Sequence, residues 1–254
     1  QIKNQNYNLI IAHGMYEPPA GLIAKIFSEK LNIPYVVNCH GSDINYKMQL
    51  CPELYIDVFE NAAKVIFVSN ALLEKAKNYG YSGNNAIVIP NGVDLDNFKL
   101  LDKNKIKQEL ELKNKVVGFV GNLLPVKRAD KLPEIFSEIN KQKEVDFLVI
   151  GDGPLKKEIE QQCKEKKLNV IITGKKPYDD IPKYMNAMDV LILPSRNEGW
   201  PCVILEAQAC GVPVIGSSNG GIPEAIGDGG IIVKEGDYFE KRFATAVIEL
   251  LDNP

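Results

Sequence analysis

Histidine is scarce in this 254-residue chain: there are two, His13 and His40, too few for a histidine-rich metal centre. The five cysteines (Cys39, Cys51, Cys163, Cys202 and Cys210) are odd in number and show no CxxC spacing, which argues against a disulfide framework or a zinc site. No apolar run approaches the roughly 20 residues that span a bilayer. The N-terminus lacks the basic-then-apolar-then-small pattern of a signal peptide. An excess of one charge is missing too. Thirty Lys and Arg face 33 Asp and Glu, a net charge of −3, which argues against a dedicated nucleic-acid binder. There is no low-complexity tract and no repeat of roughly 20–50 residues. What is present is a hydrophobic fraction of 45%, ordinary for a protein that buries a proper core. These features together predict a reduced, cytoplasmic α/β protein.

Short apolar runs alternate with amphipathic stretches, the pattern of βα repeats and parallel sheets. A first series of strands is predicted at Leu9–Ala12, Tyr35–Asn38, Lys64–Val68 and Ala86–Ile89, with helices near 18–31, 50–62 and 71–79. The turn-rich Pro90-Asn91-Gly92-Val93-Asp94 and a charged stretch from Asp102 to Lys115 then break the rhythm. The domain boundary is placed here, giving domains 1–100 and 101–254. The second series has strands at 115–120, 145–150, 169–173, 188–193, 212–216 and 230–233. Its helices fall near 127–141, 154–166, 179–187, 201–210, 221–226 and 237–252. Six strands make a complete doubly wound domain; four look short for a partner of the same kind. In such folds ligands sit outside the carboxyl ends of strands, so the chemistry should lie in the loops after them.

The most informative loop is Ser195-Arg196-Asn197-Glu198-Gly199-Trp200-Pro201. Pro201 fits the first helical position, and Gly211 the helix end. The exposed N–H groups near 199–203 would face an anion or a sugar hydroxyl. Glu198 stands ahead of the helix and Glu206 inside it, about 8 Å apart along the axis at the helical rise. One carboxylate could hold a sugar ring and the other a ribose. Read alone, the pair is better explained as a helix-start acid and a solvated helix acid; against that, Glu206 lies in the apolar Val203-Ile204-Leu205-Glu206-Ala207, where a carboxylate wants partners.

Gly121-Asn122-Leu123-Leu124-Pro125-Val126-Lys127-Arg128 comes after a strand and ends in two cations at a helix start, suited to a diphosphate whose charge grows during transfer. A solvated basic pair is the alternative. Gly151-Asp152-Gly153-Pro154 is a glycine turn without the third spaced glycine of a dinucleotide fingerprint. Gly220-Gly221 presents further backbone donors or an ordinary turn. In the first domain His40-Gly41-Ser42-Asp43 ends a strand. His40 is poised for a ligand, and Asp43 orients it or caps the next helix. His13 is expected to serve packing or a supporting role.

Taken in order, these segments resemble the retaining glycosyltransferases of family 4 (group 1), which have the GT-B fold. They are His40-Gly41-Ser42-Asp43, Ile89-Pro90-Asn91-Gly92-Val93-Asp94, Gly121–Lys127, Gly151–Pro154 and Glu198-Gly199-Trp200-Pro201 with Glu206, and then Ala-x-x-Gly-x-Pro-Val. The resemblance implies two Rossmann-like parallel-sheet domains facing a cleft. It also implies a donor, a UDP- or GDP-sugar, held by the C-terminal one.

By the same analogy Glu206 meets the ribose hydroxyls and Glu198 the donor sugar. The Gly199, Trp200 and Pro201 backbone lies against sugar and phosphate, and Lys127 neutralises the diphosphate. The Thr173-Gly174-Lys175 loop meets the base, and His40 reaches the reacting sugar. Gly121, Asn122 and Gly153 complete the expected donor site. No metal or other cofactor is implied. Two departures stand out. Asn122 occupies a place where the family commonly has arginine, and Arg128, where glycine is usual, is expected to supply that charge. The chain also begins about halfway through the family's N-terminal domain and stops before its final helices, so the N-terminal domain is expected to be incomplete.

The leading expectation is transfer of a hexosyl group, with retention, to a polysaccharide, glycolipid or related acceptor. The expected acceptor is a glycan or lipid-linked one; a lipid-linked acceptor would bring the cytoplasmic enzyme into peripheral contact with the inner face of the cell membrane, although no basic amphipathic anchor is visible. The alternatives are a non-catalytic sugar-nucleotide-binding remnant and another GT-B enzyme, such as a sugar-nucleotide epimerase or a phosphorylase.

Overall fold

The computed structural model describes residues 7–16 and 18–253. The chain divides into two compact units. The first runs to Asn91 and includes Glu198–Trp200; the second comprises Gly92–Asn197 and the chain from Pro201 onward.

In the first unit, four parallel strands pair in the order β1 (Ile10–His13), β2 (Tyr35–Cys39), β3 (Lys64–Phe67) and β4 (Ala86–Val88). Helices α1 (Ala20–Leu31), α2 (Pro52–Glu60) and α3 (Asn70–Asn78) connect them. The expected strands and helices are all present, within a few residues of their predicted ends. One feature had no sequence signal: a single π-helical turn, Asp43–Lys47, directly after the His40 loop. Phe59, Phe67 and Tyr81 form a buried edge-to-face aromatic cluster between the sheet and α2. Such pairs each add about 0.5–1.5 kcal/mol beyond burial.

The second unit holds six parallel strands: β5 (Val116–Val120), β6 (Asp146–Ile150), β7 (Val170–Ile172), β8 (Val190–Leu193), β9 (Val214–Ser217) and β10 (Gly230–Val233). Their spatial order is β10-β9-β8-β5-β6-β7. This is the doubly wound order in which the chain reverses direction across the sheet between the first and fourth strands, here β5 and β8. β6 and β8 are buried along their whole length, which is why they read as continuous apolar runs and not as alternating ones.

The helices of this unit are α4 (Lys103–Glu109), α5 (Leu132–Asn140), α6 (Lys156–Glu165), α7 (Ile181–Asn186), α8 (Cys202–Ala209), α9 (Ile222–Ile226) and α10 (Phe239–Asp252). α4 lies inside the stretch expected to be merely charged. Asp102 caps it through Lys105 N–H at 3.1 Å. The helix expected from residue 127 begins at Leu132, preceded by two short 3₁₀ turns.

The amino ends of the strands are fastened by two aspartates, one buried and one half-buried. Asp146 accepts backbone N–H groups of Lys113 (2.7 Å) and Asn114 (2.9 Å), and Asp189 accepts Val116 N–H (2.8 Å) and Lys107 Nζ (2.6 Å). The carboxyl ends carry the glycine loops.

Candidate functional site

The ligand crevice of such a sheet lies outside the carboxyl ends of the two strands at the switch point. Here those are β5, which leads into Gly121–Arg128, and β8, which leads into Ser195–Asn197. The two loops are joined directly. Arg196 N–H donates to Val126 O at 2.8 Å, its Nε to Pro125 O at 3.0 Å, and its guanidinium pairs with Asp130 at 3.0 Å. The β5 loop is also fastened to the loop after β6, with Leu123 N–H on Asp152 O at 2.9 Å. Backbones come this close because Gly151 and Gly153 lack side chains. A β-carbon on Gly151 would stand 1.9 Å from Gly121 O, and one on Gly153 would stand 2.6 Å from Leu123 O. Gly153 N–H is taken by the Asp152 carboxylate at 2.8 Å. Its visible role is therefore the approach of two turns. Gly174 closes the next loop, its carbonyl accepting Gly151 N–H at 3.0 Å. Lys175 beside it is exposed, as is Asn122.

α8 begins after Pro201, which caps it in extended conformation without a side-chain cap hydrogen bond. The expectation that Pro201 is the first helical residue is thus corrected by one position. Glu206 is the fifth residue of α8, and burial pushes its carboxyl above the ordinary carboxylate range. No hydrogen bond or ion pair holds that carboxyl among the described residues. A half-buried acid without a partner wants hydroxyl donors. Tyr178, which no sequence motif marks, stands near it. Its ring meets Phe98 edge-on (5.3 Å, 66°). Burial first, then the charges of Glu206 and Asp94, raise its phenol above the usual range.

Arg128 does not stand where the expectation put it. Its side chain is buried, its guanidinium makes two hydrogen bonds to Glu235 (2.9 and 2.8 Å) and lies 4.0 Å over the Phe239 ring. Glu235 in turn accepts Asn219 Nδ2 at 2.7 Å, and that amide also donates to Ser195 O at 3.2 Å. Supplying charge to a phosphate would require Arg128 to leave this network. The backbone explains the residue usual at this place: φ is +53° and ψ +33°, a left-handed conformation that glycine adopts without strain.

In the first unit, Asp43 is fully buried and its carboxylate accepts the N–H groups of His40 (3.2 Å), Gly41 (2.8 Å) and Ile44 (3.0 Å). It closes the loop and opens the π turn. The ring of His40 meets His13 instead, with His40 Nε2 3.3 Å from His13 Nδ1. The Glu198–Trp200 segment packs in this unit: Trp200 Nε1 donates to Asn91 O at 2.9 Å. Gly199 sits so close to the His40 loop that an added β-carbon would be 2.2 Å from His40 O. His40, Glu198, Gly199 and Trp200 therefore share the first unit, and the remaining expected donor residues share the second. Among the described residues no group of three or more His, Cys, Asp and Glu could hold a metal ion. No helix there is long and apolar enough to cross a membrane.

Residues 102–254 match the family model of glycosyl transferases group 1, and residues 1–97 match that of glycosyltransferase family 4. The chain belongs to this glycosyltransferase family. It is 32% identical over 228 residues to TuaC of Bacillus subtilis, a glycosyltransferase assigned to teichuronic acid biosynthesis, covering 85% of this chain and 55% of that one. It is 29% identical over 244 residues to N-acetyl-alpha-D-glucosaminyl L-malate synthase of Bacillus anthracis, covering 92% of this chain and 63% of that one. Among solved structures, HepE of Anabaena in complex with UDP and glucose superposes with a TM-score of 0.82 at 26% identity. That match covers 97% of this chain and 69% of HepE. The architecture is that of the GT-B glycosyltransferases. This glycosyltransferase chain thus spans between about half and two thirds of the length of the two curated relatives.

Proposed function

We propose that the second unit binds the nucleoside diphosphate of a UDP- or GDP-sugar, and that the chain takes part in transferring the hexosyl group, with retention, to a glycan or lipid-linked acceptor. Glu206 carries this reading: a desolvated carboxyl without a partner, on a helix at the edge of the switch-point crevice. The two hydroxyls of a ribose are the donors that such a group lacks. Family membership and the likeness to HepE, a structure with UDP and glucose, favour the same ligand class.

In this reading Lys127 and the N–H groups that open α8 stabilise the charge that grows on the leaving diphosphate, with no resident metal. Gly121 and Asn122 line the phosphate path, and Gly174 and Lys175 meet the base. Glu198 and His40 hold the sugar, with the Gly199-Trp200-Pro201 backbone against it. Attack takes place on the face that the phosphate leaves, through an oxocarbenium-like state. An acceptor carried on a lipid would bring the enzyme to the inner face of the cell membrane.

Titration calorimetry of the purified chain with UDP- and GDP-sugars and the free diphosphates tests the reading. Binding of one nucleotide series is expected, unchanged by EDTA. Absence of binding by every sugar nucleotide and nucleoside diphosphate would overturn it. Binding without hydrolysis or transfer would favour the non-catalytic alternative.

A further inference from the structure

The two histidines of the chain stand at the carboxyl ends of neighbouring strands. β1 and β2 run in register with His13 opposite Asn38, and Gly14 N–H donates to Asn38 O at 2.8 Å just beyond. The sheet therefore fixes the spacing of both rings. His13 Nδ1 lies 3.3 Å from His40 Nε2, the ring planes differ by 13° and the centroids are 5.5 Å apart. The centroid separation exceeds the nitrogen separation by about two ring radii, as in two imidazoles meeting edge to edge in one plane. The contact is an in-plane hydrogen bond and not a face-to-face stack.

One such bond holds one proton. Two imidazolium rings would set N–H against N–H, so at least one ring is neutral. Asp43, the other candidate for orienting His40, has its carboxylate committed to three backbone N–H groups. We propose that His13 is a positioning residue for His40. It accepts the His40 Nε2 proton at Nδ1, so that neutral His40 keeps its Nδ1 lone pair for a sugar hydroxyl. Both rings then carry their proton on Nε2, the form that neutral histidine side chains favour. The partner nitrogen sets the tautomer, as histidine pairs generally do. A neutral acceptor suits the site chemically, because an imidazolium there would oppose the positive charge that develops on the sugar during transfer. The role of His40 at the sugar rests on the function proposed above; the hydrogen bond does not.

The test separates the two. With two histidines, a long-range proton–nitrogen correlation spectrum of the labelled chain shows two ring patterns, and loss of one in each variant assigns them. In the native chain His40 is expected to show a protonated Nε2 and a bare Nδ1. His13→Asn places an amide where Nδ1 stood and should keep that pattern; His13→Phe keeps a ring but no acceptor, and should give a mixture of tautomers. His13 is exposed, so neither replacement opens the core. Donor turnover should fall about tenfold in His13→Phe with donor KM nearly unchanged, and recover in His13→Asn. A native His40 that is tautomer-averaged or protonated on Nδ1, or one unaffected by His13→Phe, overturns the pair. The expected spectra with native turnover in both variants overturn the place of His40 at the sugar, and with it the positioning role.

Discussion

Arg128 holds Glu235 by two hydrogen bonds of 2.9 and 2.8 Å across 107 residues of sequence, from a backbone in the left-handed region. Two opposed energies meet at this residue. The left-handed conformation costs a residue with a β-carbon about 1–2 kcal/mol. The ion pair, buried on the arginine side and part-exposed on the glutamate side, contributes on the order of 1–3 kcal/mol after allowance for solvent. Arg128→Ala keeps the strain and loses the pair; Arg128→Gly loses both. In urea denaturation the alanine variant should be destabilised, and the glycine variant should recover about 1 kcal/mol of that loss. Because the guanidinium is engaged, Arg128→Ala should weaken donor binding far less than Lys127→Ala. Equal losses would return Arg128 to the phosphate.

Glu206 should show the opposite balance between stability and function. Its folded-state pKa is raised by burial. Its own contribution to native stability is therefore fully favourable only below the unfolded carboxylate's pKa and declines as pH rises through the raised value. Glu206→Gln removes that penalty. The variant should melt higher than the native chain at neutral pH and lose the difference in mild acid. Its affinity for a sugar nucleotide should nevertheless fall at least about tenfold, because hydroxyl bonds to a charged carboxylate are worth about 1.5–3 kcal/mol each. Calorimetry at two pH values reads both effects. A variant that is stabilised and still binds the donor at native strength would remove the ribose from Glu206.

The same sequence showed some of this and hid the rest for physical reasons. β6 and β8 were legible because central parallel strands are apolar on both faces. The place of Glu206 inside α8 was legible in its pattern, but no local pattern shows that Glu198 packs in the first unit. α4 was missed because Ile106 is its one buried residue, too little to print a helical period on Asp102–Lys115. The Arg128–Glu235 pair and the packing of Trp200 on Asn91 join residues more than 100 positions apart, and no local pattern encodes such partners. The His13–His40 pair stood closer to view. Both residues end predicted neighbouring strands, and parallel strands in register bring such ends side by side.

Asp189 makes an internal control for the electrostatics at the far end of the second sheet. Burial pushes its carboxyl up, but the Lys107 ammonium and Val116 N–H outweigh burial and leave it below the ordinary value, with Lys103 adding to the effect. A depressed folded pKa stabilises the native state above the unfolded carboxylate's pKa, and that contribution is lost as pH falls through the lower, folded value. Asp189→Asn should therefore cost stability at neutral pH, about 1–3 kcal/mol given partly exposed lysines. The gap to the native chain should close below about pH 4, near the unfolded carboxylate value. Donor affinity should not change, because Asp189 sits at the amino end of β8, opposite the glycine loops. A pH-independent gap would show that the loss came from packing and not from charge.

Gly199 offers the sharpest separation of shape from chemistry. A β-carbon there would lie 2.2 Å from His40 O and 2.8 Å from Gly41 Cα. Both are backbone atoms, and backbone cannot swing aside as a side chain can. Gly199→Ala should therefore push Glu198 and the His40 loop apart, costing about 1–3 kcal/mol as other overpacked sites do. Shifts of this size misplace reacting groups, so donor turnover should fall on the order of 100-fold. Nucleotide affinity should fall much less, because Glu206 and the β5 loop belong to the other unit. Gly92 provides the matched comparison: an added β-carbon there meets nothing within 4 Å, and Gly92→Ala should be near neutral in both stability and turnover. If Gly199→Ala turned over donor at the native rate, the close approach of Gly199 to the His40 loop would have no part in the reaction.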